Sequence, residues 1–235
     1  MIAKEPEKLQ RLESLLKIRF KNKDLLKQAF IHRSYLNENP DSLLGNNERL
    51  EFLGDAVLEL VVTEHLFAKY PSESEGRLTS WRAALVNTKA ISAAALGLGF
   101  NDYLLLSRGE SRELGKARSY ILANTFEAFI GALYLDQGYN PCSAFIFANL
   151  IGLLPKIIEQ ELYKDAKSHF QEVAQEILKI TPAYKVMSES GPDHAKHFVV
   201  GVYLGSELVA QGDGYSKQEA EEATAKNALV AKNWN

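Results

Sequence analysis

The hydrophobic positions of the first 162 residues recur with the spacing of α-helices. Apolar side chains three and four residues apart form one face of a helix, so the pattern predicts an all-α N-terminal domain. The predicted helical segments are LQRLESLLKI, KDLLKQAFIHRSYL, NNERLEFLGDAVLEL, TSWRAALVNTKAISAAALGLG, SYILANTFEAFIGALYL and PCSAFIFANLIGLLPKIIEQEL.

The pattern changes after the polar stretch YKDAKS. A short helix, HFQEVAQEIL, is followed by three alternating or β-rich runs, AYKVMSES, HFVVGVYL and SELVAQG, and then by a closing helix, SKQEAEEATAKNALVAK. Gly205 and Ser206 predict a hairpin turn, and Ser216 with Glu219 predicts a capping box. We therefore expect a small α+β domain of order α-β-β-β-α at residues 163–235, after an all-α domain at residues 1–162.

The composition is that of an ordinary globular protein, with 46% hydrophobic and 24% charged residues. No apolar run approaches the ~18 residues of a membrane span, so we expect no membrane partner. The beginning MIAKEPEKLQ has no apolar segment of the kind found in secretory signals. The one cysteine, Cys142, excludes an internal disulfide and fits a packed small residue. These features predict a cytoplasmic protein.

The charge balance argues against a general affinity for nucleic acid. The net charge is −3, and the pI is near 6.0. Up to residue 164 there are 20 Lys and Arg against 20 Asp and Glu, and the remainder has 7 against 10. Binding of nucleic acid must therefore depend on local groups of residues.

A narrow stripe of carboxylates runs along the third predicted helix. Its members are Glu48, Glu51, Asp55 and Glu59. Carboxylates crowded in this way repel one another and raise each other's pKa unless a cation or solvent relieves the repulsion. Glu51 and Asp55, four residues apart on one face, could offer oxygen ligands to Mg²⁺ or Mn²⁺. From this helix alone, a solvated acidic stripe and a metal site both remain open.

A second carboxylate, Glu127, lies in a segment that is apolar all round. A buried carboxylate is costly unless it is paired or bound to metal, and Asn124 stands three residues earlier on the same face. Gly131 weakens the helix unless another backbone approaches closely there. Two apolar helices carrying inward oxygen ligands can therefore meet around a cation. The alternative is a lone Glu127 paired with an arginine such as Arg49 or Arg82.

Several long motifs are spread over nearly the entire chain. They are ERLEFLGDAVL, YPSESEGRLTSWRAALVN and ILANTFEAFIGALYLD in the first domain, with GPDHAKHF and GDGYSKQEAEEATAKNAL in the second. In this order they resemble bacterial-type ribonuclease III. The second domain resembles a double-stranded RNA-binding domain. The resemblance implies a homodimeric, Mg²⁺-dependent endonuclease, with Mn²⁺ as a possible substitute. Such an enzyme hydrolyses both strands of double-stranded RNA, leaving 5′-phosphate and 3′-hydroxyl ends, in rRNA and mRNA processing.

The same resemblance implies roles for individual residues. In the first domain these are metal ligands at Glu51, Asp55, Asn124 and Glu127, with Asp55 and Glu127 catalytic, helper acids at Glu48 and Glu75, and a dimer contact at Phe52. In the second domain the implied RNA contacts are Gln171, Glu172, His194, Ser216, Lys217 and Gln218. Phe52 is expected to enter a pocket of the partner subunit.

Two positions depart from the family pattern. Asn124 stands where most members have a metal-binding Asp, and an amide oxygen can bind Mg²⁺ but brings no negative charge. We therefore expect an active enzyme with weakened metal affinity. The alternative is a dsRNA-binding protein with weakened or lost cleavage. Gln218 stands where a second Lys is common, which predicts weaker RNA binding.

Overall fold

The computed structural model describes residues 5–161, 163, 165–192 and 196–234. The chain divides into two compact units, one up to Gln160 and one from Glu161. The boundary predicted between residues 162 and 163 stays a prediction.

In the part that the structure describes, the first unit consists of α-helices joined by turns and short 3-10 segments. The helices are α1 (Glu5–Leu16), α2 (Lys23–Ala29), α3 (Arg33–Glu38), α4 (Glu48–Lys69), α5 (Glu75–Leu85), α6 (Thr88–Gly97), α7 (Lys116–Gln137), α8 (Tyr139–Asn149) and α9 (Leu154–Glu159). This confirms the predicted all-α first domain.

One predicted helix, residues 23–36, is in fact divided between α2 and α3. The backbone between them pairs with a distant segment: the Leu105 N–H donates to the Phe30 carbonyl at 2.9 Å, and the His32 N–H donates to the Leu105 carbonyl at 3.1 Å. His32 then caps α3, because its Nδ1 accepts a hydrogen bond from the Ser34 N–H. A tertiary contact thus overrides the local helical pattern.

A second predicted helix, residues 79–99, is also divided. The first of the two observed helices, α5, begins earlier than predicted, at Glu75, and ends at Leu85. Asn87 then begins α6, since its side chain accepts a hydrogen bond from the Ala90 N–H at 2.9 Å. Asn is a preferred N-cap residue, so this break was visible in the sequence.

Helices α4 and α7 cross in direct backbone contact at two glycines. A Cβ atom on Gly54 would lie 1.7 Å from the carbonyl oxygen of Glu127. A Cβ atom on Gly131 would lie 2.1 Å from the carbonyl oxygen of Leu50. The close approach predicted at Gly131 is therefore confirmed, and its partner helix is the acidic one.

The stretch Tyr139–Glu159 is, by length and composition, a candidate membrane span among the described residues. The expectation that no run was long enough was therefore wrong. In the fold, this stretch is divided into α8, a 3-10 turn and α9. Cys142 and Ile146 are fully buried, and the Phe145 ring lies 4.9 Å from that of Phe129. Core helices pass the same test, so the stretch is weak evidence for a membrane.

The second unit has the predicted order α-β-β-β-α. Its elements are α10 (Ala166–Leu178), β1 (Ala183–Ser190), β2 (His197–Leu204), β3 (Glu207–Gly214) and α11 (Lys217–Lys232). The strands form an antiparallel sheet in the order β1-β2-β3. Gly205 adopts φ +62° in the turn between β2 and β3, as the predicted hairpin requires. Phe170, Ala174 and Val202 are buried in the core of this unit.

Candidate metal centre and RNA-binding surface

The start of the acidic helix α4 is fixed by Asn47, a residue that the sequence analysis missed. Asn47 is buried. Its backbone N–H donates to the Ile31 carbonyl at 2.9 Å, and its Nδ2 donates to the Ala29 carbonyl at 3.1 Å. An Asn before a helix usually signals a cap, but the Asn47 side chain makes no capping hydrogen bond. It joins α4 to the turn after α2 instead.

Glu51 lies within a group of polar side chains contributed by both α4 and α7. Burial raises the pKa of Glu51, and the charges of Glu48 and Asp55 raise it further. A hydrogen bond with the Asn124 side chain acts in the opposite direction and partly stabilises the carboxylate. The Asn124 side chain of α7 therefore lies close enough to Glu51 of α4 to act on its carboxylate.

Glu127 interacts with the same group. Burial is the largest cause that raises its pKa, and the negative charges of Asp55 and Glu51 add to it, so that the pKa reaches about 8. A cation placed among these carboxylates would relieve the repulsion. The backbone contact of Gly54 with Glu127 explains how two separate helices bring their acids together.

The donor set suits a hard divalent cation, because it combines three carboxylates with the amide of Asn124. Within the described ranges, however, no three His, Cys, Asp or Glu side chains are already arranged to hold a metal ion. The charges of Asp55 and Glu51 nevertheless raise the pKa of Glu127, and the charge of Asp55 raises that of Glu51, so these carboxylates act on one another across the two helices. Like charges repel, so the carboxylates would draw together only around a cation. The residues fit such an ion in the chemistry of their oxygen donors.

The alternative partner for Glu127, an arginine, does not match the observed contacts of Arg82. The Arg82 Nε lies 2.9 Å from a carboxylate oxygen of Glu59, and its Nη1 donates to the Thr63 hydroxyl at 3.0 Å. Glu59 therefore belongs to an ion pair with α5, although the sequence placed it in the same acidic stripe.

Of the two helper acids, only Glu48 acts on the pKa of a residue in this centre. Glu48 is exposed, accepts a hydrogen bond from Asn46 at 3.0 Å and acts on the pKa of Glu51. Glu75 begins α5, accepts a hydrogen bond from Thr79 at 3.3 Å and is not among the groups that raise the pKa of Glu51 or Glu127. Their roles stay predictions.

One face of α4 carries large apolar side chains that remain in solvent. Phe52 is 83% exposed, Leu60 57% and Phe67 75%. Large exposed apolar surfaces mark sites of association. The other apolar face of α4 is buried in the core through residues such as Val57, Leu58 and Val61.

The predicted RNA contacts of the second unit lie on α10 and at the start of α11. Gln171, Glu172, Lys217 and Gln218 are exposed. The Ser216 hydroxyl caps α11 by accepting a hydrogen bond from the Glu219 N–H at 3.1 Å. The Glu219 carboxylate accepts from the Tyr215 N–H, one residue earlier than in an ordinary capping box. The remaining predicted contact, His194, lies outside the described residues.

The raised pKa of Glu127 predicts that metal-free protein loses stability as the pH rises from about 5 to about 8. In that window the folded state keeps a proton that the unfolded state has released, so a higher pH favours unfolding. Thermal unfolding in EDTA across the window measures the effect. The Glu127→Gln variant should show a smaller decrease, and an identical decrease in both proteins would contradict the assignment.

Comparison with known proteins identifies similar sequences for both units. Residues 22–154 match a family model described as ribonuclease-III-like. Residues 166–230 match the double-stranded RNA binding motif. The protein named Ribonuclease 3 from Leptospira interrogans is 43% identical over 226 residues, which are 95% of this chain and 91% of that protein. The chain belongs to the ribonuclease III family.

Further relatives agree with this assignment. Ribonuclease 3 from Bacillus velezensis is 44% identical over 229 residues, covering 97% of this chain and 91% of that protein. A solved nuclease domain of ribonuclease III from Campylobacter jejuni is 41% identical, with a TM-score of 0.54, and covers 60% of this chain and 94% of that domain. Its description concerns structural flexibility in a region involved in dimer formation. Members of the ribonuclease III family use divalent metal ions.

Proposed function

We propose that this ribonuclease III cleaves double-stranded RNA by Mg²⁺-assisted hydrolysis at the centre formed by α4 and α7. The enzyme is an endoribonuclease of double-stranded RNA, in keeping with its two matched domains. The observation that carries the proposed site is the interaction of Glu51, Asp55 and Glu127 across two helices. Mn²⁺ should substitute for Mg²⁺, because both take oxygen ligands.

Within this proposal each residue of the centre has a role. Glu51, Asp55, Asn124 and Glu127 would hold the cation, which lowers the pKa of water and offsets charge developing at the scissile phosphate. Asp55 and Glu127 are the catalytic carboxylates. The Asn124 amide orients the Glu51 carboxylate through their hydrogen bond. The expected products have 5′-phosphate and 3′-hydroxyl ends.

The direct test is incubation of the purified protein with long double-stranded RNA, with and without Mg²⁺ or Mn²⁺. Cleavage, with ends analysed chemically, supports the proposal. Retardation in a gel without cleavage would instead select the dsRNA-binding protein that has lost cleavage through Asn124. That alternative is not favoured, since the relatives are named as ribonucleases.

Restoring an acid at position 124 should strengthen metal binding. The Asn124→Asp variant gains one negative ligand, and ligand charge is a main determinant of affinity, so the dissociation constant for Mn²⁺ should fall roughly tenfold. Isothermal titration calorimetry measures this without any reaction. Asn101→Asp is the matched control, because Asn101 is exposed in the 3-10 turn Phe100–Tyr103. Equal affinities in wild type and Asn124→Asp would refute the role of Asn124.

We further propose that two copies of the chain associate through the exposed apolar face of α4. Phe52, Leu60 and Phe67 lie on that face. The Phe52→Ala variant should weaken the dimer by roughly 2 kcal/mol or more, since aromatic anchors dominate interfaces. Sedimentation equilibrium measures the change. Leu114→Ala, at a side chain that is 79% exposed in a loop, is the control; a variant at Phe52 that dimerises like wild type would exclude this face.

The remaining assignments concern the setting of the enzyme. We propose that it works in the cytoplasm, without a membrane partner, on precursors of rRNA and mRNA. The single cysteine fits a reducing compartment, and burial raises the pKa of the Cys142 thiol to about 12, as expected for a packed, unreactive residue.

A further inference from the structure

Three side chains meet at the end of the sheet that lies beside the start of α11. His197 is the first residue of β2, Asp213 is near the end of β3, and Tyr215 directly precedes the capping residue Ser216. None of the three is among the RNA contacts predicted from the sequence. His197 lies within GPDHAKHF, and Asp213 and Tyr215 lie within GDGYSKQEAEEATAKNAL, the two segments of this unit that resemble a double-stranded RNA-binding domain.

Tyr215 contacts one neighbour through its ring and another through its backbone, and yet it remains exposed to solvent. Its ring meets the edge of the His197 ring, with centroids 5.4 Å apart and an interplanar angle of 75°. Its backbone N–H donates to the Glu219 carboxylate at 3.1 Å. The residue is nevertheless 73% exposed. An exposed aromatic side chain that packs against a neighbouring ring is partly preorganised for contact with a ligand, because some of its freedom is already lost.

The charges around Tyr215 are mixed. Lys217 begins α11, whose first N–H groups favour a phosphate. Asp213, whose side chain is 67% exposed, would repel one. The Asp213 Oδ2 lies 2.9 Å from the His197 Nε2, within hydrogen-bond distance. His197 therefore contacts both the carboxylate that would repel RNA and the Tyr215 ring.

We propose that the Tyr215 hydroxyl forms a hydrogen bond with the ribose–phosphate backbone of double-stranded RNA, and that His197 is a positioning residue for it. A-form RNA presents 2′-hydroxyls and phosphates to such domains, and both accept a hydrogen bond from a phenol. The contact would partly replace the Lys that is absent at Gln218. This inference rests on the proposed function, since it requires that the second unit binds double-stranded RNA.

The test measures the affinity of the full chain for a 20-base-pair RNA duplex by fluorescence anisotropy in EDTA, which prevents cleavage. Tyr215→Phe removes one hydroxyl and should weaken binding roughly fivefold, the usual effect of one hydrogen bond. Tyr203→Phe is the matched control, because Tyr203 lies at the other end of β2, with Lys185 Nζ 5.0 Å from its ring. The affinity of the Tyr203→Phe variant for the duplex should equal that of wild type.

The salt dependence distinguishes a hydrogen bond from a charge effect. Tyr215→Phe removes no cation, so the slope of log K against log salt should stay unchanged while the affinity falls. Lys217→Gln should reduce that slope by about 1. His197→Ala should weaken binding in the presence of Tyr215 and have little further effect in the Tyr215→Phe background, because the two changes remove one contact.

Each outcome has one meaning. Loss of affinity in Tyr215→Phe at constant slope, with coupling to His197, supports the proposal. Wild-type affinity in Tyr215→Phe overturns it while leaving the proposed function intact, whether or not Tyr215→Ala binds more weakly. Failure of the wild-type protein itself to bind the duplex would overturn the RNA-binding function, and this inference with it.

Discussion

The Glu127→Gln variant should lose cleavage of double-stranded RNA by about a thousandfold or more, because metal-assisted stabilisation of the transition state contributes several kcal/mol. Gln keeps the size of the side chain but removes the carboxylate, whose pKa Asp55 and Glu51 raise in the absence of a cation. Single-turnover cleavage of a defined duplex in Mg²⁺ measures the loss. Binding of the duplex in a gel shift should remain, since the second unit is unaltered.

Glu59→Gln provides the matched control for this experiment. Glu59 lies on the same helix, but its carboxylate pairs with Arg82 at 2.9 Å. A partly exposed ion pair at the surface contributes little, so cleavage should stay within a few-fold of wild type. If Glu127→Gln cleaved as well as Glu59→Gln, Glu127 would have no part in catalysis.

The Gly54→Ala variant should unfold at a temperature about 10 °C lower than wild type, for a loss of about 3 kcal/mol or more. The added Cβ would lie 1.7 Å from the Glu127 carbonyl oxygen, so two packed backbones must separate. That separation would also pull Asp55 away from Glu127. Differential scanning calorimetry measures the shift in the unfolding transition.

Gly76→Ala is the corresponding control, because a Cβ atom at Gly76 meets nothing within 4 Å. Ala also has the higher helix propensity, so this variant should be neutral or slightly more stable. Equal unfolding temperatures for Gly54→Ala and wild type would show that α4 and α7 do not pack as described.

The types of the main elements follow from the sequence because burial of apolar side chains imposes a period on it. The alternating runs become β1, β2 and β3, and the all-apolar segment around Glu127 becomes the central helix α7. Gly131 carried information beyond its own helix, since a glycine in a buried helix is tolerated where another backbone must come close.

Other features depend on contacts between distant residues, which local patterns do not contain. Pairing with Leu105 divides the helical run at His32, and the tie of Asn47 to Ala29 fixes the start of α4. The position of Glu59 in the acidic stripe did not reveal its partner. Glu59 shares it with Glu51, but α5 supplies Arg82 to pair with Glu59, and the side chain that joins Glu51 is Asn124 of α7.

Anomalous diffraction from crystals of the protein grown with Mn²⁺ tests most directly whether α4 and α7 together form a cation site. The account predicts a strong anomalous peak within about 2.5 Å of oxygen atoms from Glu51, Asp55 and Glu127, a distance typical of oxygen ligands. A fully occupied Mn²⁺ site elsewhere, with these three carboxylates free of metal, would contradict it.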